Sequence, residues 1–188
     1  MKKAQVLFVV IVVLFFACGG LKDFKNLFSS SVLLDKPKPI APALDSASMV
    51  YSDAGLIFPV FGKTQKHIIS KFGDPRDNGA RVHEGIDIAA EKGTVVLSVS
   101  DGKVVNVKDE GRGGKQVWVH DRERGHTYYY AHLNSQFVLE GDRVQTGSAL
   151  GTVGNTGNAS TTIPHLHFAV YENEWLDNDV IDPLPLLP

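Results

Sequence analysis

Three short stretches hold the residues whose types and spacing could do chemistry. In IPHLHFAVY, residues 163–171, two histidines flank one leucine, and apolar residues follow at every second position. A strand turns successive side chains to opposite faces, so Leu166, Phe168 and Val170 would enter a core. His165, His167, Ala169 and Tyr171 would share the other face, although a solvated strand face that happens to carry two histidines would read the same way. In RVHEGIDIAA, residues 81–90, extension through Ile88 would put Val82, Ile86 and Ile88 on one side. His83 and Asp87 would then stand on the other, with Gly85 leaving room between them. A third stretch, YYYAHL, residues 128–133, adds His132 on the face expected to carry Tyr128 and Tyr130. Zinc accepts imidazole nitrogen and carboxylate oxygen, and a catalytic site usually has three protein ligands and one open position. His83, Asp87 and one histidine of the 165/167 pair would complete such a set.

Placing these side chains calls for strands. VVLSVSDGKVVNV holds two β-rich runs around Asp101-Gly102, a strong hairpin signal because both turn residues tolerate positive φ. KQVWVHDRERGHTYYYAHL repeats the pattern across a turn at Arg122–Gly125, and VLEGDRVQTGSALGTVGNTGN adds short strands punctuated by Gly, Asp and Asn. No long stretch has a period of 3.6, apart from a helical turn or two around Lys63–Lys71. The expected fold is mainly β, a compact antiparallel sheet or sandwich spanning 56–188. The whole chain has 188 residues, is 43% hydrophobic and 21% charged, and carries a formal charge of −2. That suits a globular domain with extensions, and it offers no basic field for nucleic acid.

The amino terminus reads as an address. Lys2 and Lys3 precede an apolar run from Val6 to Phe16, shorter than the roughly 20 residues of a membrane-spanning helix, and small residues follow. LFFAC, ending at Cys18, resembles the lipobox of bacterial lipoproteins, with Phe15 where Leu is usual. On that reading 1–18 is a signal peptide whose last residue, Cys18, becomes the lipidated mature N-terminus. An uncleaved anchor or a fully secreted chain are the alternatives. All three export the remainder to the cell envelope, facing the periplasm or the exterior. Residues 19–55, with SSS, KPKPIAP and DSAS, have the composition of a flexible tether. Its part from Lys36 to Ala54 could fold across a groove and limit access.

HEGIDIAA, YAHL and PHLHF occur in that order, with GDRVQTGSALGTVGNTGN between the last two. Together they resemble the lysostaphin and LytM-type family of zinc metallopeptidases, over about Phe58 to Pro183. The resemblance implies a groove carrying one zinc per chain, held by His83, Asp87 and His167. It implies that His132 and His165 are catalytic groups beside the metal's water. It also implies hydrolysis of peptide bonds in bacterial peptidoglycan. Glu84 stands where Pro is common and Ala169 where Glu often follows, and neither is a ligand position. The subgroup that cuts glycine bridges carries a Tyr in the loop before the first ligand, and none lies between Phe72 and His83. That favours a D,D-endopeptidase acting on direct cross-links.

Around this set, Arg76 and Arg81 could hold a substrate carboxylate, and Tyr128 and Tyr130 could line the groove. His67, His120 and His126 read as solvated or structural. The expected partners are peptidoglycan peptides, a membrane reached through the lipid anchor, and a regulatory envelope protein. Two other classes fit parts of the pattern. Some relatives lack zinc ligands and activate amidases, and Gly-rich hairpin domains can carry a prosthetic group on a lysine such as Lys103.

Overall fold

The computed structural model describes residues 49–172 and 179–188. The signal-like segment, Cys18 and the tether up to residue 48 lie outside the described residues. The strands are β1 (Ile68–Ser70), β2 (Pro75–Arg76), β3 (Arg81–Val82), β4 (Ile86–Ala89), β5 (Val95–Leu97) and β6 (Gly102–Glu110). They continue with β7 (Gly114–Asp121), β8 (His126–Gln136), β9 (Arg143–Val144), β10 (Ala149–Val153), β11 (His165–Glu172) and β12 (Val180–Ile181). Among the described residues, one antiparallel sheet runs β1-β4-β11-β8-β7-β6-β9, with β12 on β11, β10 joining β8 to β5, and β2-β3 a separate ribbon.

Alternation explains which face is the core. Ile86 and Ile88 of β4, Leu166, Phe168 and Val170 of β11, Tyr128 and Tyr130 of β8, and Val117 and Val119 of β7 are completely buried on one side. Leu56, Val96, Val99, Leu150 and Val153 pack onto them. Each such side chain contributes about 2 kcal/mol by leaving water. The opposite face of β4, β11 and β8 is left to polar and aromatic groups, and there the three stretches meet.

Local expectations hold in part. The turn at Arg122–Gly125 joins β7 to β8, with Gly125 at φ 67°. Around Lys63–Lys71 there is one 3₁₀ turn, Gln65–His67, leading directly into β1.

Asp101-Gly102 is not a hairpin, because β5 pairs with β10 while β6 pairs with β7 and β9. Asp101 instead accepts hydrogen bonds from the backbone N–H and hydroxyl of Thr146, at 2.7 and 2.9 Å. Gly102 serves close approach: a Cβ there would sit 2.7 Å from Val119 Cγ1 and 2.8 Å from the His120 carbonyl oxygen.

Val82 does not join the core either. The chain leaves strand geometry at residues 83–85, parity is lost, and Val82 stands 55% exposed beside the groove.

Residues 49–54 pack away from the groove. Ser52 donates to the Leu186 carbonyl at 2.7 Å, Arg124 donates to the Ala54 carbonyl at 3.2 Å, and none of the six lines the groove.

Candidate metal centre

A groove of about 600 Å³ lies on the polar face. The register of β4 on β11 sets Asp87 directly opposite His167, with His165 opposite Ala89 one step away. His83 enters from the segment between β3 and β4. His83 Nε2 and His167 Nδ1 each lie 3.0 Å from Asp87 Oδ1, and the two nitrogens are 3.0 Å apart. A triangle of this side leaves a point about 2 Å from all three atoms, the usual zinc–nitrogen and zinc–oxygen distance. Gly85 makes this possible, since a Cβ there would lie 2.5 Å from the Phe168 carbonyl and 2.9 Å from His167 Cε1.

Hydrogen bonds to carbonyls set the tautomers, because a carbonyl oxygen only accepts. His83 Nδ1 faces the Lys71 carbonyl at 2.9 Å, so its Nε2 turns a lone pair toward Asp87. A carboxylate oxygen and ring nitrogens converging this closely have the composition of a cation site, and two imidazoles with one carboxylate suit zinc. Asp87 is held well below the usual carboxylate range: burial would raise it, and its close contacts with the His167 and His83 rings outweigh that. Burial pushes His167 down from the ordinary imidazole value, which favours the neutral form a metal ligand needs.

His165 Nδ1 faces the Ile163 carbonyl at 2.8 Å and His132 Nδ1 the Thr156 carbonyl at 2.9 Å. Each therefore keeps a lone pair on Nε2, and that of His165 lies 4.0 Å from Asp87 Oδ1. The two rings are 5.0 Å apart. Burial, reinforced by His167 and His165, lowers His132 to about 4. The structure thus brings His83, Asp87, His167, His132 and His165 into one cluster.

The remaining candidates divide. Tyr128 and Tyr130 do not line the groove: both are completely buried, and the Tyr130 hydroxyl accepts from the Val99 N–H at 3.1 Å. The reason is a bulge in β8, where Val117 pairs with Tyr130 but Lys115 with Leu133, leaving one extra residue on β8. His132 sits in it at φ 62°, so it reaches the groove face alongside Tyr129 and Ala131.

Arg76 is committed to the cluster: its guanidinium donates to Asp87 Oδ2 at 2.6 Å and to Ser70 Oγ at 2.9 Å. Ser70 donates in turn to Asp74 at 2.8 Å. Arg81 pairs with Asp77 at 2.7 Å on the groove rim, where Arg112, absent from the sequence-based candidates, approaches the same oxygen at 3.7 Å. Tyr171 lines the groove on the face alternation gave it, and Trp118 and Tyr129 also line it, although neither was among the sequence-based candidates. For Trp118 the signal was available in its alternation with Val117 and Val119.

Residues 81–183 match the family model described as Peptidase family M23. The glycyl-glycine endopeptidase ALE-1 of Staphylococcus capitis is 37% identical over 106 residues, 56% of this chain and 29% of that protein. The murein hydrolase activator NlpD of Escherichia coli (strain K12) is 30% identical over 126 residues, 66% of this chain and 30% of that protein. The chain therefore spans less than a third of the length of either relative. The crystallised catalytic domain of lysostaphin from Staphylococcus simulans superposes with a TM-score of 0.57 at 31% identity, covering 63% of this chain and 89% of that one. A zinc-containing peptidase from Vibrio cholerae does so at 0.56 and 28%, covering 74% and 44%.

Proposed function

The chain belongs to peptidase family M23, and we propose that it is a zinc-dependent endopeptidase that hydrolyses peptide bonds of bacterial peptidoglycan, with direct D,D cross-links as its substrate. The observation that carries the reading is the convergence of His83 Nε2, Asp87 Oδ1 and His167 Nδ1 at 3.0 Å, with two lone-pair imidazoles beside them.

His83, Asp87 and His167 would hold the metal. Lewis acidity is what zinc supplies when bound, polarising a carbonyl and lowering the pKa of a water to about 7. His165 or His132, each held in place by the carbonyl on its Nδ1, would take a water's proton on Nε2 and return it to the leaving amine. An imidazole N–H formed in that transfer also donates to the developing oxyanion. Arg76 fixes the Asp87 carboxylate, and Arg81 with Arg112 gives the rim a positive edge for a substrate carboxylate.

Export fits this substrate. The segment 1–18 with a lipidated Cys18 would place the domain in the envelope on its tether, and the intact mass of the mature chain tests that.

The similarity to NlpD supports a second reading, an activator of a wall amidase. Bound zinc per chain and release of soluble fragments from purified peptidoglycan separate the two, with and without chelator and in His167→Ala. One zinc per chain and digestion lost on chelation and in His167→Ala support the hydrolase. Intact stimulation of an amidase by His167→Ala, without digestion by the wild type, supports the activator.

A further inference from the structure

The groove face carries a row of side chains that the catalytic cluster does not use. Ladder pairing sets Asn106 on β6 opposite Trp118 on β7, Trp118 opposite Tyr129 on β8, and Tyr129 opposite Ala169 on β11. One line thus crosses four strands and ends two residues from His167. The Trp118 and Tyr129 rings are 4.2 Å apart and tilted by 35°, Tyr171 lies 5.3 Å from Trp118, and all three are half-buried. Tyr129 is 5.8 Å from the His167 ring, so the shelf begins at the candidate metal centre. At its far end it opens into a second depression of about 490 Å³, to which Asn106, Lys108 and Gln116 also contribute. Trp118, Tyr129, Arg112 and Gly113 line both spaces, which makes them one continuous surface.

We propose that this shelf is a saccharide subsite, and that its occupant is the glycan strand that carries the substrate peptide. The inference rests on the peptidoglycan reading above and extends it from the peptide to the sugar. A pyranose has an apolar C–H face that packs on an aromatic ring, and a hydroxylated rim that needs hydrogen-bond partners. Trp118 supplies the first surface, with the Tyr129 ring packed 4.2 Å from it on the side of the candidate metal centre. Asn106 supplies the second: among the described residues its amide makes no hydrogen bond, and Lys108 stands beside it, 3.6 Å from Glu110.

Length agrees with this assignment. From β11 there are two strand spacings to Trp118 on β7 and three to Asn106 on β6, roughly 10 and 14 Å at about 4.8 Å each. An extended peptide advances about 3.3–3.6 Å per residue, so these distances hold about three and about four residues. A peptide cut at the metal centre with its sugar on Trp118 and Asn106 is therefore cleaved about three to four residues from the glycan. A peptide without sugar leaves the second depression unused.

The test takes the full chain and two substrates, a cross-linked wall peptide with and without its amino-sugar disaccharide, together with a binding probe, the β-1,4-linked tetramer of N-acetylglucosamine. In the wild type the disaccharide should raise kcat/KM about tenfold, mainly through KM, and the tetramer should shift the Trp118 indole N–H resonance. Trp118→Leu and Asn106→Ala should each bring the ratio of the two substrates toward one. Equal kcat/KM for both substrates in the wild type, with an indole resonance that ignores the tetramer at millimolar concentration, overturns the proposal. So does a Trp118→Leu or Asn106→Ala loss that is the same for both substrates, which would mark a role in peptide binding or packing. If neither substrate is cut while the tetramer still shifts the resonance, the hydrolase reading fails and the saccharide subsite stands.

Discussion

Gly85→Ala tests the site geometry through a single methyl group. Gly85 lies outside the left-handed region, so alanine costs nothing special in backbone conformation there. What it meets is space: the Cβ would be 2.5 Å from the Phe168 carbonyl oxygen, 2.9 Å from His167 Cε1 and 3.0 Å from His167 Nε2. Tolerable carbon–oxygen contacts begin near about 3.3 Å, so something must yield by roughly 0.8 Å. The Phe168 carbonyl belongs to β11, which is paired to β4 and β8 on its two sides, whereas the His167 ring has a torsion to turn. Turning the ring relieves only its own contacts, so the segment at Gly85 and the β11 backbone must also part, and both movements take His167 Nδ1 away from Asp87. A ligand displaced by this much should weaken zinc binding on the order of 10- to 100-fold, and a misplacement near 1 Å lowers turnover on the order of 100-fold. Overpacking should cost the fold only about 1–3 kcal/mol. Zinc affinity by chelator competition, urea unfolding midpoints and kcat on purified wall measure the three effects separately. A folded Gly85→Ala chain that binds zinc as tightly as wild type and keeps its kcat would refute the placement of His167 as a ligand.

His132→Ala and His165→Ala should each lower kcat by about 10²- to 10⁴-fold while bound zinc per chain stays unchanged; loss of zinc in either would move that histidine into the ligand set. Arg76→Gln removes a charge-assisted hydrogen bond from a buried carboxylate and should destabilise the metal-free chain by about 2 kcal/mol in urea unfolding, with partial recovery in Arg76→Lys; an unchanged midpoint would mean that the 2.6 Å contact with Asp87 is idle. For the metal-free chain, His132 is depressed from 6.5 to about 4 and His167 is lowered too, so the unfolded chain takes up protons that the folded chain refuses. Stability should then fall as pH drops from about 6.5 to about 4, by about 3 kcal/mol for His132, and His132→Gln should flatten that slope in urea titrations across the window.

The straight parts of the site were legible because their strands keep parity. Along β11 an unbroken alternation separates His165 and His167 from Leu166 and Phe168, and the pairing with β4 places Asp87 where spacing put it. Arg76 was picked out as a cation near the site, but its partner depends on how residues 70–76 fold back against β4. No local pattern records that Ser70 and Asp87 flank the same guanidinium. Asp101-Gly102 misled for a related reason. Turn chemistry says where a chain can reverse, and the choice of β10 over β6 as partner for β5 is made by tertiary pairing.

The tyrosines show the general case. A period of two assigned His132 to the face of Tyr128 and Tyr130, yet a regular strand that buried those two rings would have buried His132 with them. The bulge resolves the conflict by inserting one residue between the core segment of β8 and the segment that pairs with β10. Its cost is a histidine at φ 62°, of order 1–3 kcal/mol for a non-glycine residue. Two hydrogen bonds hold it: the His132 N–H to the Gly113 carbonyl and the ring Nδ1 to the Thr156 carbonyl, both 2.9 Å. Those same bonds aim Nε2 into the groove. The strained residue is thus the one whose ring faces the candidate metal centre from a strand otherwise built to bury its neighbours, so regular alternation fails at a position the proposed chemistry uses.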